Sequence, residues 1–288
     1  MTGAGSGDQM PQSVLAREVG LRYDIRRIRV ALFGGSYLEA GADTFLLMLD
    51  EHPEIEFVGG FFQSQGMDAR SRFIELWRRR GPIAIPLAAV EVVRAAARRL
   101  RAGRRSPAER RRIARLVAGL ELVDDLHAAE VRAKIAALEP DLGLIYGAPV
   151  LRPEVYSIPA FGTLGIHHGR VPHYRGKKTT FWEIYNGERV AGVTIQRVNT
   201  GIDTGDVLRV GEVEIGRKSL RRVEREVQEL GFQLYVAAIL DVMQGRAVPL
   251  PQDAATLQFR KYRQPSAADL FRFLLRRVTR RQAVRRRV

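Results

Sequence analysis

Residues 28–36 read Ile28-Arg29-Val30-Ala31-Leu32-Phe33-Gly34-Gly35-Ser36. The first six form an almost unbroken apolar run and read as a short strand. Gly34, Gly35 and Ser36 end it in a turn. A helical stretch follows to about Asp50, and Ile55 to Phe62 read as a second strand. Strand, loop, helix, strand points to a parallel α/β sheet. The Gly-Gly-Ser turn has two readings. It could hold an anion at a helix start, or it could be only a tight turn. No G-x-G-x-x-G dinucleotide fingerprint follows the strand.

Downstream, residues 86–119 are helical and arginine-rich, with Ser106-Pro107 as a break and helix start. Glu130 to Leu138 reads as a helix and Asp141 to Tyr146 as a short apolar strand ending on Gly147. The stretch Gly162 to Gly176, rich in Gly, His and Pro, reads mostly as loop. A helix starts at Thr180, strands are expected at Val193–Val198 and Val207–Val213, and Asn199–Gly205 is a turn-rich loop between them. Leu220 to Met243 is a long helix closed by Gly245, and a last helix runs over about Ser266–Ala283. In it Leu270, Phe271, Leu274, Leu275 and Val278 make one apolar stripe, with arginines elsewhere. The organisation expected is a flexible leader over 1–25, one catalytic domain over 26–247, and a short helical C-terminal extension over 248–288. Such a last helix could dock on the body, pair with a second copy in a homodimer, or lie on an anionic membrane.

The chain has 288 residues, 45% of them apolar, enough for a sizeable core. It has no cysteine, which excludes disulfide scaffolds, zinc ribbons, iron–sulfur clusters and cysteine nucleophiles. No apolar run approaches the roughly 18–20 residues of a membrane span, and the polar start lacks a secretory pattern. A cytoplasmic location is the expectation. The net charge of +15 is local. Residues 94–115 carry ten Arg and one Glu, and residues 271–288 carry eight Arg and no acid, which leaves −2 for the rest. With the body near neutral, a nucleic-acid partner is not expected.

Three of the five histidines, His167, His168 and His173, fall within seven residues of a glycine-rich segment. Clustered histidines in such a segment mark a candidate active site. His-His-x4-His with no acid nearby is not a metal-ligand spacing, so no metal is expected. A second cluster, Asn199-Thr200-Gly201-Ile202-Asp203-Thr204-Gly205-Asp206, follows a strand directly. Ligands bind at such strand ends in open α/β sheets. Asp203 and His167 would form an acid–base pair if the fold brought them together. The alternative for either aspartate is an Asx-turn.

Taken together, Ile166-His167, Pro172-His173-Tyr174-Arg175-Gly176, Trp182-Glu183-Ile184, Asn186-Gly187-Glu188, Gly192-Val193-Thr194-Ile195 and Gly201-Ile202-Asp203-Thr204-Gly205-Asp206 resemble the folate-dependent formyltransferase family. The resemblance is strongest over 141–210. It implies a Rossmann-like domain with a mostly parallel central sheet that binds 10-formyltetrahydrofolate as co-substrate. It further implies direct attack of an amine on the formyl carbon, with His167 as catalytic histidine and Asp203 as catalytic aspartate. Pro149, Val150 and Leu151, with Asn199, Thr200, Gly201 and Ile202, would hold the pterin. Gly34, Gly35 and Ser36 would lie near the amine, and Tyr174, Arg175 and Gly176 would shape the substrate side.

The sequence departs from the family at Gly165, which stands where the family has an oxyanion-binding Asn. Losing such a donor typically costs about 3–4 kcal/mol of transition-state stabilisation. His168 or Thr163 could replace it, the one-carbon or acyl chemistry could differ, or the site could bind folate without turnover. The segment Pro251–Pro265 resembles the short extension of sugar N-formyltransferases, and no second β-rich domain is legible after residue 210. A small-molecule amine, an amino-sugar nucleotide or a natural-product amine, is therefore the acceptor expected. Arg175, Lys177 and Lys178 could meet its phosphate or carboxylate.

Overall fold

The computed structural model describes residues 27–35, 42–63, 105–252 and 261–285, with side chains as far as Arg276. In chain order the elements are β1 (Ile28–Gly34), α1 (Ala42–Asp50), β2 (Ile55–Gln63), α2 (Pro107–Ala118), β3 (Leu120–Val123), α3 (Ala129–Ala137), β4 (Leu142–Tyr146) and α4 (Pro153–Tyr156). They continue as β5 (Thr163–His167), β6 (Arg175–Gly176), α5 (Thr179–Asn186), β7 (Val190–Arg197), β8 (Val207–Glu214), α6 (Leu220–Met243), β9 (Lys261–Tyr262) and α7 (Ala267–Arg285). The leader and Ser36 lie outside the described residues.

Seven strands form one sheet in the order β3-β2-β1-β4-β5-β7-β8. β1 to β5 run parallel, and β7 and β8 add an antiparallel edge. The mostly parallel α/β expectation holds. The chain winds outward from β1 to β3, then returns to place β4 on the other flank of β1. That reversal opens a crevice at the carboxyl ends of β1 and β4. The centre of β1 is buried on both faces: Val30, Ala31, Leu32 and Phe33 are all 0% exposed. Glycine is required where β1 leaves the sheet. A Cβ on Gly34 would lie 2.1 Å from the Phe62 ring, and one on Gly35 would lie 2.4 Å from the Gly147 carbonyl oxygen.

α6 covers one face of the antiparallel side. Ser219 caps its start by accepting from the Arg222 N–H. Gly231 lets it approach closely, because a Cβ there would meet Ile166 Cδ1 at 2.8 Å and Val193 Cγ2 at 2.9 Å. One turn on, the Tyr235 hydroxyl accepts from the Ile145 N–H at 2.9 Å and donates to the Leu164 carbonyl at 2.7 Å. This helix residue therefore ties β4 to β5, the strand that ends on His167.

α2 begins where Ser106-Pro107 places it. Ser106 and Glu109 form a capping box, with proline in the first turn. Three arginines of the first basic segment bind acids of α1: Arg105 to Asp43 at 2.7 Å, Arg112 to Asp50 at 2.6 Å and Arg115 to Asp50 at 3.0 Å. Part of that charge thus joins two helices. Its residues 94–104 lie outside the described residues.

The stretch 162–176 differs from its expectation as a loop. It contains β5, hydrogen-bonded between β4 and β7, and β6, paired with β9. Two partnered edges hold β5 in the sheet despite Gly165 at its centre. β3 and α4 were not anticipated; each has only four residues.

Candidate active site

His167 is the last residue of β5 and is 8% exposed. The β5–β7 register pairs Gly165 with Gln196 and His167 with Thr194. Directly opposed residues share a face, and alternate residues share it too. Gly165, His167, Thr194 and Gln196 therefore line one side of the sheet. The loop after β7 folds back over this face. His167 Nδ1 lies 3.3 Å from Asp203 Oδ1. The other ring nitrogen, Nε2, lies 2.6 Å from the Tyr174 carbonyl oxygen. Both neighbours of the ring are acceptors, so a doubly protonated imidazole satisfies both contacts and a neutral one satisfies a single contact.

Asp203 is held in a left-handed conformation with φ +54°. Its carboxylate accepts from the Gly176 N–H at 2.9 Å and from the Gln196 side-chain amide at 3.3 Å. Gln252 clamps the loop from outside. Its amide nitrogen donates to the Gly205 carbonyl at 2.7 Å, the Asp203 carbonyl at 3.3 Å and Gln196 Oε1 at 3.1 Å. The Asx-turn falls to Asn199, whose side-chain oxygen accepts from the Gly201 N–H at 2.9 Å and the Thr204 hydroxyl at 2.8 Å. Asp203 is thereby left to face His167.

Tyr174 and Gly176 reach the site through their backbone. The Tyr174 and Arg175 side chains are buried, at 5% and 2% exposure. The Tyr174 ring stacks on Tyr262, with centroids 5.1 Å apart, and its hydroxyl donates to Glu188 at 2.7 Å. Beneath this loop Glu183 is fully buried. It accepts from the Gly192 N–H at 3.2 Å and lies 3.4 Å from Arg170 Nε, while Arg170 also binds Glu188 at 2.7 Å. Burial pushes the Glu183 pKa up to about 7, against the lowering pull of the Gly192 and Arg170 N–H groups. Exposed Lys177 and Lys178 follow directly.

Among the residues expected to hold the pterin, Val150 is 62% exposed and Ile202 40% exposed. Leu151 is 2% exposed and packs in the core with Phe33 and Phe61, so its side chain serves the core. Pro149 precedes Val150 in the segment after β4, and Asn199, Thr200 and Gly201 are exposed in the segment after β7. Gly34 and Gly35 sit at the crevice between β1 and β4.

Gly165 differs from the glycines around it. A Cβ would meet 2.4 Å contacts at Gly143, 2.5 Å at Gly169 and 1.7 Å at Gly205, whereas at Gly165 it would meet, among the described residues, only Val198 Cγ2 at 3.6 Å. Packing among the described residues does not require glycine there. Of the expected replacement donors, Thr163 is committed elsewhere, donating to the Tyr156 carbonyl at 2.7 Å. His168 is half-buried, and its Nε2 has no hydrogen-bond partner among the described residues. Burial, then the charges of His167 and Lys178, push its pKa down to about 4, so it is neutral at pH 7. Gln196 was not anticipated. Its signal in the sequence is only its place in β7; the strand register across some thirty residues puts it beside Gly165.

A formyl transferase family model matches residues 88–239, more than half of the chain. The chain belongs to the formyl transferase family. It is 34% identical over 128 residues to a methionyl-tRNA formyltransferase of Variovorax paradoxus, a match covering 44% of this chain and 40% of that protein. A match to the methionyl-tRNA formyltransferase of Acidobacterium capsulatum covers 47% of that protein, so the chain spans less than half the length of these relatives. Among solved structures, a sugar N-formyltransferase from Shewanella superposes with a TM-score of 0.52 at 16% identity, over 84% of this chain and 78% of that one. The likeness to that structure shows a shared formyltransferase fold, the Rossmann-like architecture expected from the sequence.

Proposed function

We propose that the chain transfers a formyl group from 10-formyltetrahydrofolate to a small-molecule amine at the face shared by Gly165, His167, Gln196 and Asp203. The observation that carries this reading is the 3.3 Å contact between His167 and Asp203, two residues of the family motif 36 positions apart. The exposed apolar side chains of Val150 and Ile202 suit a flat aromatic pterin. Gly34 and Gly35 line the crevice on the acceptor side. Lys177 and Lys178 offer charge to an acceptor carrying phosphate or carboxylate, such as an amino-sugar nucleotide.

In this reaction the amine nitrogen bonds to the formyl carbon and the carbonyl electron pair moves to oxygen. The carbon–nitrogen bond to the folate then breaks, the departing nitrogen takes a proton, and the amine loses one. His167, oriented by Asp203, would exchange the Tyr174 carbonyl at its Nε2 for the developing oxyanion and hold the proton in transit. Gly165 supplies no side-chain donor. The Gln196 amide is placed to do so, since its Nε2 carries a second hydrogen beyond the one given to Asp203. A second reading, folate binding without turnover, is favoured by Gly165 alone.

The test follows formyl from labelled donor to a panel of amino-sugar nucleotides, amino acids and methionyl-tRNA. Transfer to a small amine that falls about 10²–10⁴-fold in Asp203→Asn is expected. Transfer to methionyl-tRNA alone would replace the acceptor, and donor binding without transfer to anything would select the second reading.

A further inference from the structure

The last helix presents two different flanks. Ser266 and Asp269 cap α7, with the Ser266 N–H donating to Asp269 at 2.8 Å. Phe273, 7% exposed, packs against Phe181 with centroids 5.0 Å apart, and the Arg276 guanidinium lies 4.5 Å over the Tyr185 ring. That flank fixes the helix to α5. On the other, Phe271 is 63% exposed, Leu274 61% and Leu275 50%. Residues 271–288, which include this patch, carry eight arginines and no acid, whereas the chain outside its two basic segments sums to −2.

We infer that this flank of α7 binds an anionic lipid surface, lying in the headgroup layer without crossing the bilayer. The charge requires an anionic partner. A second copy would set two such helices, each +8 over 271–288, against one another. A nucleic-acid backbone rewards arginine but offers nothing to Leu274. A bilayer interface takes both, because acyl chains accept Phe271 and Leu274 while anionic headgroups accept arginine. Each arginine near such a surface strengthens binding roughly fivefold. No described helix is long and apolar enough to cross a membrane, so the binding is peripheral and salt-sensitive. It would hold the site's β-sheet domain at the membrane through α5 and α7.

The test is flotation of the full chain with vesicles of phosphatidylcholine alone and with about one-third phosphatidylglycerol. Expected are retention on the anionic vesicles only, a loss of at least roughly tenfold at high salt, and a similar loss in the double variant Phe271→Ser/Leu274→Ser. Circular dichroism checks its fold, and Phe271→Ser alone replaces it if the pair unfolds. Absence of binding to anionic vesicles overturns the proposal, as does a double variant that binds like the parent. A concentration-dependent dimer abolished by the double variant would reassign the flank to a second copy. RNA binding that equals vesicle binding and ignores the double variant would reassign it to nucleic acid.

Discussion

His167 sits between a carboxylate and a carbonyl, and its function depends on that placement. Replacing Asp203 by Asn keeps the shape but removes the charge that orients the ring. Turnover should fall about 10²–10⁴-fold with little change in melting temperature; unchanged turnover would remove Asp203 from the chemistry. Gly165 allows a cleaner separation of fold from function. A strand glycine that packing does not require marks a place where a ligand comes close. Gly165→Ala should therefore raise stability by about 0.5–1 kcal/mol, through reduced freedom of the unfolded chain, while weakening substrate use. Thermal melts and kinetics on the same preparation check both halves. Side-chain roles were the least legible part of the sequence. Tyr174, Arg175 and Gly176 were expected to shape the substrate side, Arg175 with its charge; the fold buries the Tyr174 and Arg175 side chains and brings the Tyr174 carbonyl to His167 and the Gly176 N–H to Asp203. Gln196 could not be seen at all, because only cross-strand register makes it a neighbour of Gly165.

At the scale of elements, the site depends on β5 staying in the sheet. Tyr235 contributes to that from α6. Tyr235→Phe leaves the Ile145 N–H and Leu164 carbonyl without their shared partner, at a cost of about 1–3 kcal/mol. Urea unfolding measures this. Glu183 governs the underside of the Tyr174 loop. Its folded pKa of about 7 lies above its ordinary value of 4.5, so the folded state holds a proton that the unfolded chain has released between these values. Its contribution to stability should then be full below about pH 4.5 and decline as pH rises through 7. Glu183→Gln should flatten that decline in melting curves recorded across the range; an unchanged slope would mean that the Arg170 pair, not burial, governs the group. Elements with a strong pattern were readable. β1 is an apolar run broken only by Arg29, and α6 carries its apolar stripe from Leu220 to Met243. β5 was not readable, since Gly165 interrupts a run of only five residues and its stability comes from strands on both sides. β3 and α4 are too short to show a period.

At the scale of the molecule, the winding order puts the β1–β4 crevice, the end of β5 and the loop after β7 on one working region. The opening β–loop–α–β pattern already implied the parallel sheet, and the motif implied the family. The antiparallel edge that brings Gln196 and Asp203 to His167 is a tertiary fact with no local signal. The central claim is that this region binds a formyl-bearing folate and passes its one-carbon group directly to an amine, with His167 and Asp203 assisting. The most direct measurement is calorimetric titration of the full chain, and of its Ile202→Asp and His167→Asn variants, with a stable 10-formyltetrahydrofolate analogue. The account predicts saturable one-site binding, at least about tenfold weaker in Ile202→Asp through lost apolar contact, and retained in His167→Asn. Absence of saturable binding by the parent chain would contradict it.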